Sequence, residues 1–149
     1  MKAQINFYKI DKFNLNLGDK IKNWLNAIIV KNGYDYSEIN YTFLTDEDLL
    51  QINRDYLNHD FYTDIITFDN TIKETISADI MISIERVKEN ASDLNVDFEV
   101  ELLRVMAHGI LHCLGFDDHT TENKALMRRK EDEVLNMFHV EHKTSIKNV

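Results

Sequence analysis

Residues 97–119 read DFEVELLRVMAHGILHCLGFDDH, and this stretch determines how the rest of the chain is interpreted. Its first part predicts a helix that begins at the N-cap Asp97, carries apolar residues at helical spacing and ends at Gly115. His108 and His112 lie four positions apart on that helix, so both imidazoles share one face about one turn apart. Two histidine nitrogens in this arrangement can bind one metal ion at about 2 Å.

A third ligand has to come from outside the helix, and the sequence places candidates directly after it. Gly115 can adopt a positive φ angle, which ends the helix and sends the chain back past the two histidines. Asp117, Asp118 and His119 follow. Three protein ligands leave a fourth position open, which is typical of a catalytic zinc site rather than a structural one. The stretch therefore predicts a catalytic divalent-metal site, with zinc as the favoured ion.

The residue after the first histidine argues against one class of zinc enzyme. Zinc proteases with an H-E-x-x-H helix use the glutamate as general base. Here the position holds Gly109, which has no carboxylate. The glycine either leaves room for a bulky group beside the metal or lets the helix pack closely, and both interpretations stay open from the sequence.

The rest of the chain alternates short strands with amphipathic helices. Strands are predicted at residues 4–8, 39–44, 64–68 and 78–84, and helices at 17–29, 45–57, 85–92, 97–114 and from Thr120 or Thr121 to about His139. The order β-α-β-α-β-β-α-α-α predicts an α+β fold with a small mixed four-stranded sheet packed with about five helices. We expect a single domain over residues 1–138 and a flexible C-terminal tail over residues 139–149.

Bulk composition narrows the function classes. The 149 residues suit one domain, and the longest aliphatic run, residues 27–30, is far too short to cross a bilayer. The chain start has no signal-peptide pattern, and the single cysteine, Cys113, allows no internal disulfide, so we expect a cytoplasmic protein. The net charge of −9 argues against a broad nucleic-acid-binding surface, although Arg128, Arg129 and Lys130 form a local basic cluster.

The metal stretch also resembles a known family, the YbeY proteins, which are bacterial rRNA-maturation factors described as metal-dependent endoribonucleases. Its pattern H-G-x-L-H-x-x-G-[YF]-D-H is matched by HG at 108–109, LH at 111–112 and GFD at 115–117. Weaker likenesses follow the family's order: NRDY at 53–56, TDIITF at 63–68, ADIMIS at 78–83 and RVKENA at 86–91. The resemblance spans roughly residues 40–138.

This resemblance implies an α+β fold, one zinc ion and a single-strand-specific endoribonuclease, that is, a hydrolase acting on phosphodiester bonds. It implies a role in rRNA maturation, at the 3′ end of 16S rRNA, and in ribosome biogenesis and quality control. The implied partners are single-stranded RNA, the rRNA precursor and the small ribosomal subunit, with neither a membrane nor DNA expected.

The chain departs from the family pattern at two positions. The third histidine of the family falls on Asp118, whereas His119 lies one residue later. Carboxylate and imidazole both bind zinc at about 2.0–2.2 Å, so Asp118 is the favoured third ligand and His119 the alternative. A carboxylate ligand makes Mn²⁺ or Fe²⁺ more competitive with zinc. The family's arginine falls on Leu57, which cannot bind phosphate.

Three residues are candidates for the catalytic roles that this departure leaves open. Arg54 precedes Leu57 by three positions and could take over the phosphate contact. His59 could carry a proton or contact RNA, and Asp64 could also handle protons.

Two other functions are consistent with the sequence. A ribosome-assembly factor whose metal is mainly structural is favoured by the leucine at the arginine position and by the charge of −9. A metal hydrolase of small molecules would need an enclosed pocket, whereas RNA needs an open groove rimmed with Lys and Arg.

Overall fold

The structure is a computed structural model that describes residues 3–9 and 18–147, with side chains of the last helix described as far as Phe138. Within these residues the elements are β1 (Gln4–Lys9), α1 (Gly18–Lys31), β2 (Asp35–Leu44), α2 (Asp46–Leu57), β3 (Ile65–Asp69), β4 (Thr75–Ser83), α3 (Ile84–Leu94), α4 (Phe98–Cys113) and α5 (Thr121–Lys147). The predicted order is confirmed. Leu17, the predicted first residue of α1, lies outside the described residues.

The four strands form one mixed sheet in the order β1-β2-β4-β3. β1 pairs with β2 and β2 with β4 in parallel, whereas β3 runs antiparallel to β4. β2 starts at Asp35, earlier than the predicted residue 39, and its register with β4 shifts between Tyr36 and Ile39. The alternation of apolar and polar residues starts only after this irregularity, so the sequence pattern marks only the second half of the strand.

Each face of the sheet is covered by helices. Alternate residues of β2 and β4 are buried on the larger face, where α1, α3, α4 and α5 complete the main core. A smaller apolar cluster of Leu44, Leu49 and Ile66 joins α2 to the sheet. The Trp24 indole fixes α5 against α1, since Nε1 donates to the Val134 carbonyl oxygen at 2.7 Å.

The central helix α4 approaches the sheet closely at Gly109. A methyl group there would lie 3.1 Å from Ile80 Cδ1 and 3.2 Å from Ile65 Cδ1. Of the two interpretations of this glycine, close packing is therefore the one that the fold uses. The Tyr41 hydroxyl, which donates to the Met106 carbonyl oxygen at 2.8 Å, further ties α4 to the sheet.

Threonine side chains cap two of the helices, whereas the predicted N-cap Asp97 does not use its side chain. The Thr45 side chain caps α2 by accepting from Asp48 N, and the Thr120 side chain accepts from Asn123 N. Asp97 occupies the N-cap position of α4 but makes no side-chain cap hydrogen bond. α5 is helical to Lys147, beyond the predicted end.

The flexibility predicted for residues 139–149 stays a prediction.

Within the described part of the chain, no helix combines the length and the apolar character that crossing a membrane would require.

Candidate metal centre

The end of α4 and the loop after it place the predicted ligands around one cavity. α4 ends at Cys113, and Gly115 adopts a φ of 100° that reverses the chain. The Phe116 amide donates to the Leu111 carbonyl oxygen at 3.0 Å, and the Phe116 side chain packs against the core. This anchored turn carries residues 117–119 back past the helix, as the sequence predicted.

His108 and Asp118 face each other across this turn. His108 Nε2 lies 3.4 Å from Asp118 Oδ2. Two donor atoms bound at about 2.1 Å to one tetrahedral ion are separated by roughly 3.4 Å, so the spacing suits two ligands of the same metal. His108 and Asp118 are therefore a pair that fits a metal ion.

His112 lies on the same cavity, one turn further along α4. A cavity of about 460 Å³ is lined by His108, His112, Asp118 and His119, together with residues of β3 and of the segment after α2. His112 is exposed, and its side chain has no hydrogen bond or ion pair within the described part of the chain. The ring is therefore free to accept a ligand.

Asp118 contacts His108 and also belongs to a cluster of three possible ligands in the loop after α4. Asp117, Asp118 and His119 offer ligand atoms that lie within 4.8 Å of one another. His119 Nε2 is 3.5 Å from Asp117 Oδ1 and the His119 side chain is 80% exposed. Because Asp118 alone of the three also contacts His108, the geometry favours Asp118 over His119 as the ligand shared with α4.

A buried carboxylate behind His108 was not anticipated from the sequence. Glu131 Oε2 of α5 lies 2.8 Å from His108 Nδ1, and Glu131 Oε1 accepts from Arg104 at 3.1 Å. A carboxylate only accepts, so Nδ1 carries the proton and Nε2 is left for the cavity. Metal-binding histidines commonly have such a carboxylate partner. One signal was present: Glu131 lies on the buried stripe of α5 with Met127 and Val134.

Neighbouring carboxylates and burial change the pKa of His108. The hydrogen bond to Glu131 raises the pKa of the His108 imidazole, and the charges of Asp118 and Asp64 act in the same direction against burial. Burial raises the pKa of the Asp64 carboxyl, and the His108 charge partly opposes this. Asp64 accepts from Asn90 Nδ2 at 3.2 Å and lines the cavity, so it lies beside the candidate metal ligands.

A second, smaller cavity of about 250 Å³ adjoins the first behind His108. Its lining includes Asp64, Asp118 and the ion-paired residues Arg104 and Glu131. Glu101 also contributes, and its Oε1 is buried without a hydrogen bond, although Arg104 Nε lies 3.7 Å away. Burial raises the pKa of the Glu101 carboxyl while the Arg104 charge opposes it.

The three candidate catalytic residues lie in different environments. His59 lines the larger cavity and its ring stacks on Phe61, with centroids 5.1 Å apart. Asp64 lines both cavities. Arg54 is absent from the described lining of either cavity, and its Nε donates to Asp60. The structure therefore brings His59 and Asp64, but not Arg54, to the candidate ligands.

Comparison with known proteins is decisive on the family. The family model described as "Endoribonuclease YbeY" matches residues 4–139. The chain belongs to the endoribonuclease YbeY family. The resemblance seen at residues 40–138 is thus confirmed, and the match extends it to most of the chain. Leu57, the residue onto which the sequence resemblance places the family's arginine, lines the larger cavity.

Individual relatives agree with this assignment. A Flavobacterium johnsoniae protein named Endoribonuclease YbeY is 52% identical over 137 residues, covering 92% of this chain and 99% of the relative. One from Christiangramia forsetii with the same name is 48% identical, covering 94% and 98%. The solution structure of a Thermotoga maritima protein superposes with a TM-score of 0.71 at 27% identity, covering 95% of this chain and 93% of that one. The predicted α+β fold is confirmed.

Proposed function

We propose that this member of the endoribonuclease YbeY family cleaves single-stranded RNA with one metal ion held by His108, His112 and Asp118. The proposal depends above all on the pairing of His108 Nε2 with Asp118 Oδ2 at 3.4 Å. The hydrogen bond between Glu131 and His108 Nδ1 also supports the proposal, because it leaves Nε2 of the same ring for the metal. His119 is the alternative third ligand, or a neighbour that orients Asp118 or substrate.

Zinc is the ion that we propose. Two imidazoles and one carboxylate form a set that zinc binds in catalytic sites, with a fourth position left for water or substrate. The same set also suits Mn²⁺ and Fe²⁺ better than three imidazoles would.

The mechanism follows from what each side chain can do in the cavity. The bound ion would stabilise the negative charge that develops on the phosphodiester during cleavage. Asp64 and His59 line the same cavity and are the groups that we assign to taking a proton from the attacking hydroxyl or water and giving one to the leaving oxygen. Arg54 is engaged by Asp60, so we assign it to holding the segment after α2 rather than to the chemistry.

We further propose that the substrate is the rRNA precursor of the small ribosomal subunit, in the cytoplasm, with the 3′ end of 16S rRNA as the processed region. Support comes from membership of the family and from the sequence resemblance. Membership of an endoribonuclease family does not favour the alternative of an assembly factor with a purely structural metal.

The test compares the purified chain with the double variant His108→Ala/His112→Ala. Both proteins are expressed and purified in parallel, loaded with Zn²⁺, and incubated with an unstructured RNA and with a small-subunit rRNA precursor. We expect cleavage by the parent chain, loss of it on chelation and none by the double variant. Equal cleavage by the two proteins would mean that the nuclease is a contaminant. Tight zinc binding by the parent without any cleavage would favour the assembly factor.

A further inference from the structure

Positive charge in the lining of the larger cavity does not explain how RNA would be held there. Four histidines, but no lysine or arginine, belong to the described lining of the larger cavity. Three nearby arginines are already ion-paired: Arg54 with Asp60, Arg86 with Asp46 and Glu89, and Arg104 with Glu131 and Asp132. Arg128 lines the smaller cavity instead, where it is 56% exposed and lies 3.8 Å from Glu131 Oε1. An arginine paired with a carboxylate offers less charge to a phosphate, so another kind of contact is needed.

The segment after α2 supplies an aromatic surface at the cavity. We call residues 58–62 the platform loop. Phe61 is 56% exposed, and its ring stacks on His59 with an interplanar angle of 22°. Both side chains line the cavity that holds His108 and His112. An exposed aromatic ring is costly to leave in water, and nucleobases stack on such rings.

The platform loop is fixed in place by polar contacts rather than by burying its aromatic rings. Asn58 ends α2 with a left-handed φ of 57°, which turns the chain towards the cavity. The buried Asn53 holds the loop from below: its carbonyl oxygen accepts from His59 N at 3.1 Å, and its Nδ2 donates to the Phe61 carbonyl oxygen at 2.9 Å. The Tyr62 hydroxyl donates to Glu47 Oε1 at 2.6 Å. The loop is therefore preorganised with Phe61 directed outward.

We propose that His59 and Phe61 form a stacking platform for one unpaired nucleobase beside the metal centre. This rests on the proposed function and adds how the site selects its substrate. A base can stack on Phe61 only when its faces are not covered by neighbouring bases, which excludes a base within a duplex. The platform thus favours single-stranded RNA, and base stacking replaces much of the phosphate contact that this acidic chain lacks.

The experiment combines variants at Phe61 with RNA lacking single bases. Phe61→Leu removes the ring, Phe61→Tyr keeps it, and Tyr8→Leu is the control, since Tyr8 is 52% exposed on β1 at the opposite edge of the sheet. The substrates are one single-stranded oligoribonucleotide and a set in which one abasic ribose occupies each successive position. Zinc content and circular dichroism verify that each variant is loaded and folded.

We expect Phe61→Leu to raise KM about tenfold with little change in kcat, because stacking of a base on an aromatic ring typically contributes about five- to a hundredfold to binding. Phe61→Tyr and Tyr8→Leu should match the parent. At one abasic position the parent should lose the same factor, and Phe61→Leu should lose nothing further, since both changes remove the same contact.

Failure of this proposal differs from failure of the proposed function. If the parent cleaves RNA and Phe61→Leu has the same KM on every substrate, the platform is wrong while the nuclease stands. If the parent cleaves no RNA, fluorescence anisotropy of the same labelled oligonucleotides decides. Weaker binding of one abasic RNA by the parent, with no such difference for Phe61→Leu, supports the platform without the nuclease, and equal binding overturns both.

Discussion

His108 and His112 share one face of α4 but lie in different surroundings. His108 is partly buried, with Glu131 on Nδ1 and Asp118 beside Nε2. His112 is exposed and has no side-chain partner among the described residues. The inner ligand is therefore held in a binding-competent orientation before any metal arrives, whereas the outer ligand is free to adjust. Replacing the inner residue should affect both folding and metal binding, and replacing the outer residue only metal binding.

The largest effect should follow from losing either histidine, and stability separates the two. His108→Ala and His112→Ala should both reduce RNA cleavage to background, because each removes a proposed ligand. With chelator present, His108→Ala should lower the free energy of unfolding by about 1–2 kcal/mol, because a hydrogen bond to a buried carboxylate is lost. His112→Ala should change it by less than about 0.5 kcal/mol. Urea unfolding followed by circular dichroism measures this. Equal destabilisation by the two variants would contradict the comparison.

The next effect concerns the third ligand. Asp118→Ala should lower zinc affinity by more than the 10–100-fold typical of outer-sphere partners, because it removes a direct ligand. His119→Ala should lower it by less than about tenfold, because the His119 ring is mostly exposed and lies beside Asp117. Competition with a zinc-binding dye measures both affinities. The reverse ranking would assign the ligand to His119.

A smaller effect should follow when the support behind the inner histidine is changed. Glu131→Ala should weaken zinc binding about 10–100-fold, since His108 loses the carboxylate that orients it. Glu131→Gln, which can still accept from Nδ1, should recover part of this loss. Asp132→Asn is the matched control, because Asp132 also pairs with Arg104 but is exposed and does not contact His108. If Asp132→Asn weakened zinc binding as much as Glu131→Ala did, orientation of His108 would not be the cause.

The sequence could predict the ligands on and just after α4, but it could not predict the residue that supports His108 from another helix. The spacing of His108 and His112 and the bend at Gly115 are local, so helix periodicity and glycine conformation were sufficient to predict that part. Glu131 lies 23 positions from His108 on another helix, and its contact depends on how α5 packs on α4. Periodicity marks a buried position but gives no partner across an interface, so this half of the site required three-dimensional packing.

The same reasoning applies to the glycine beside the inner histidine. Two interpretations of Gly109 stayed open from the sequence because the distance between α4 and the sheet is a tertiary property. Gly109→Ala should destabilise the chain by about 1 kcal/mol, since crowding against Ile80 and Ile65 outweighs the better helix propensity of alanine. Thermal unfolding measures this. Increased stability would mean that the two isoleucines move aside readily.

The smallest effect on RNA cleavage should come from replacing Arg54, which lies on α2 outside the described cavity lining. Its guanidinium is exposed and paired with Asp60, and it is not part of the described cavity lining. An exposed ion pair contributes little, so Arg54→Ala should change kcat/KM for RNA cleavage by less than about twofold. Leu57→Arg offers the opposite test, because residue 57 lines the cavity and the sequence resemblance places the family's arginine there. If Arg54→Ala reduced cleavage strongly and Leu57→Arg in the same chain restored it, Arg54 would contact the phosphate in place of the family's arginine. Phosphate contact would then contribute more to RNA binding near residue 57 than stacking on Phe61 does.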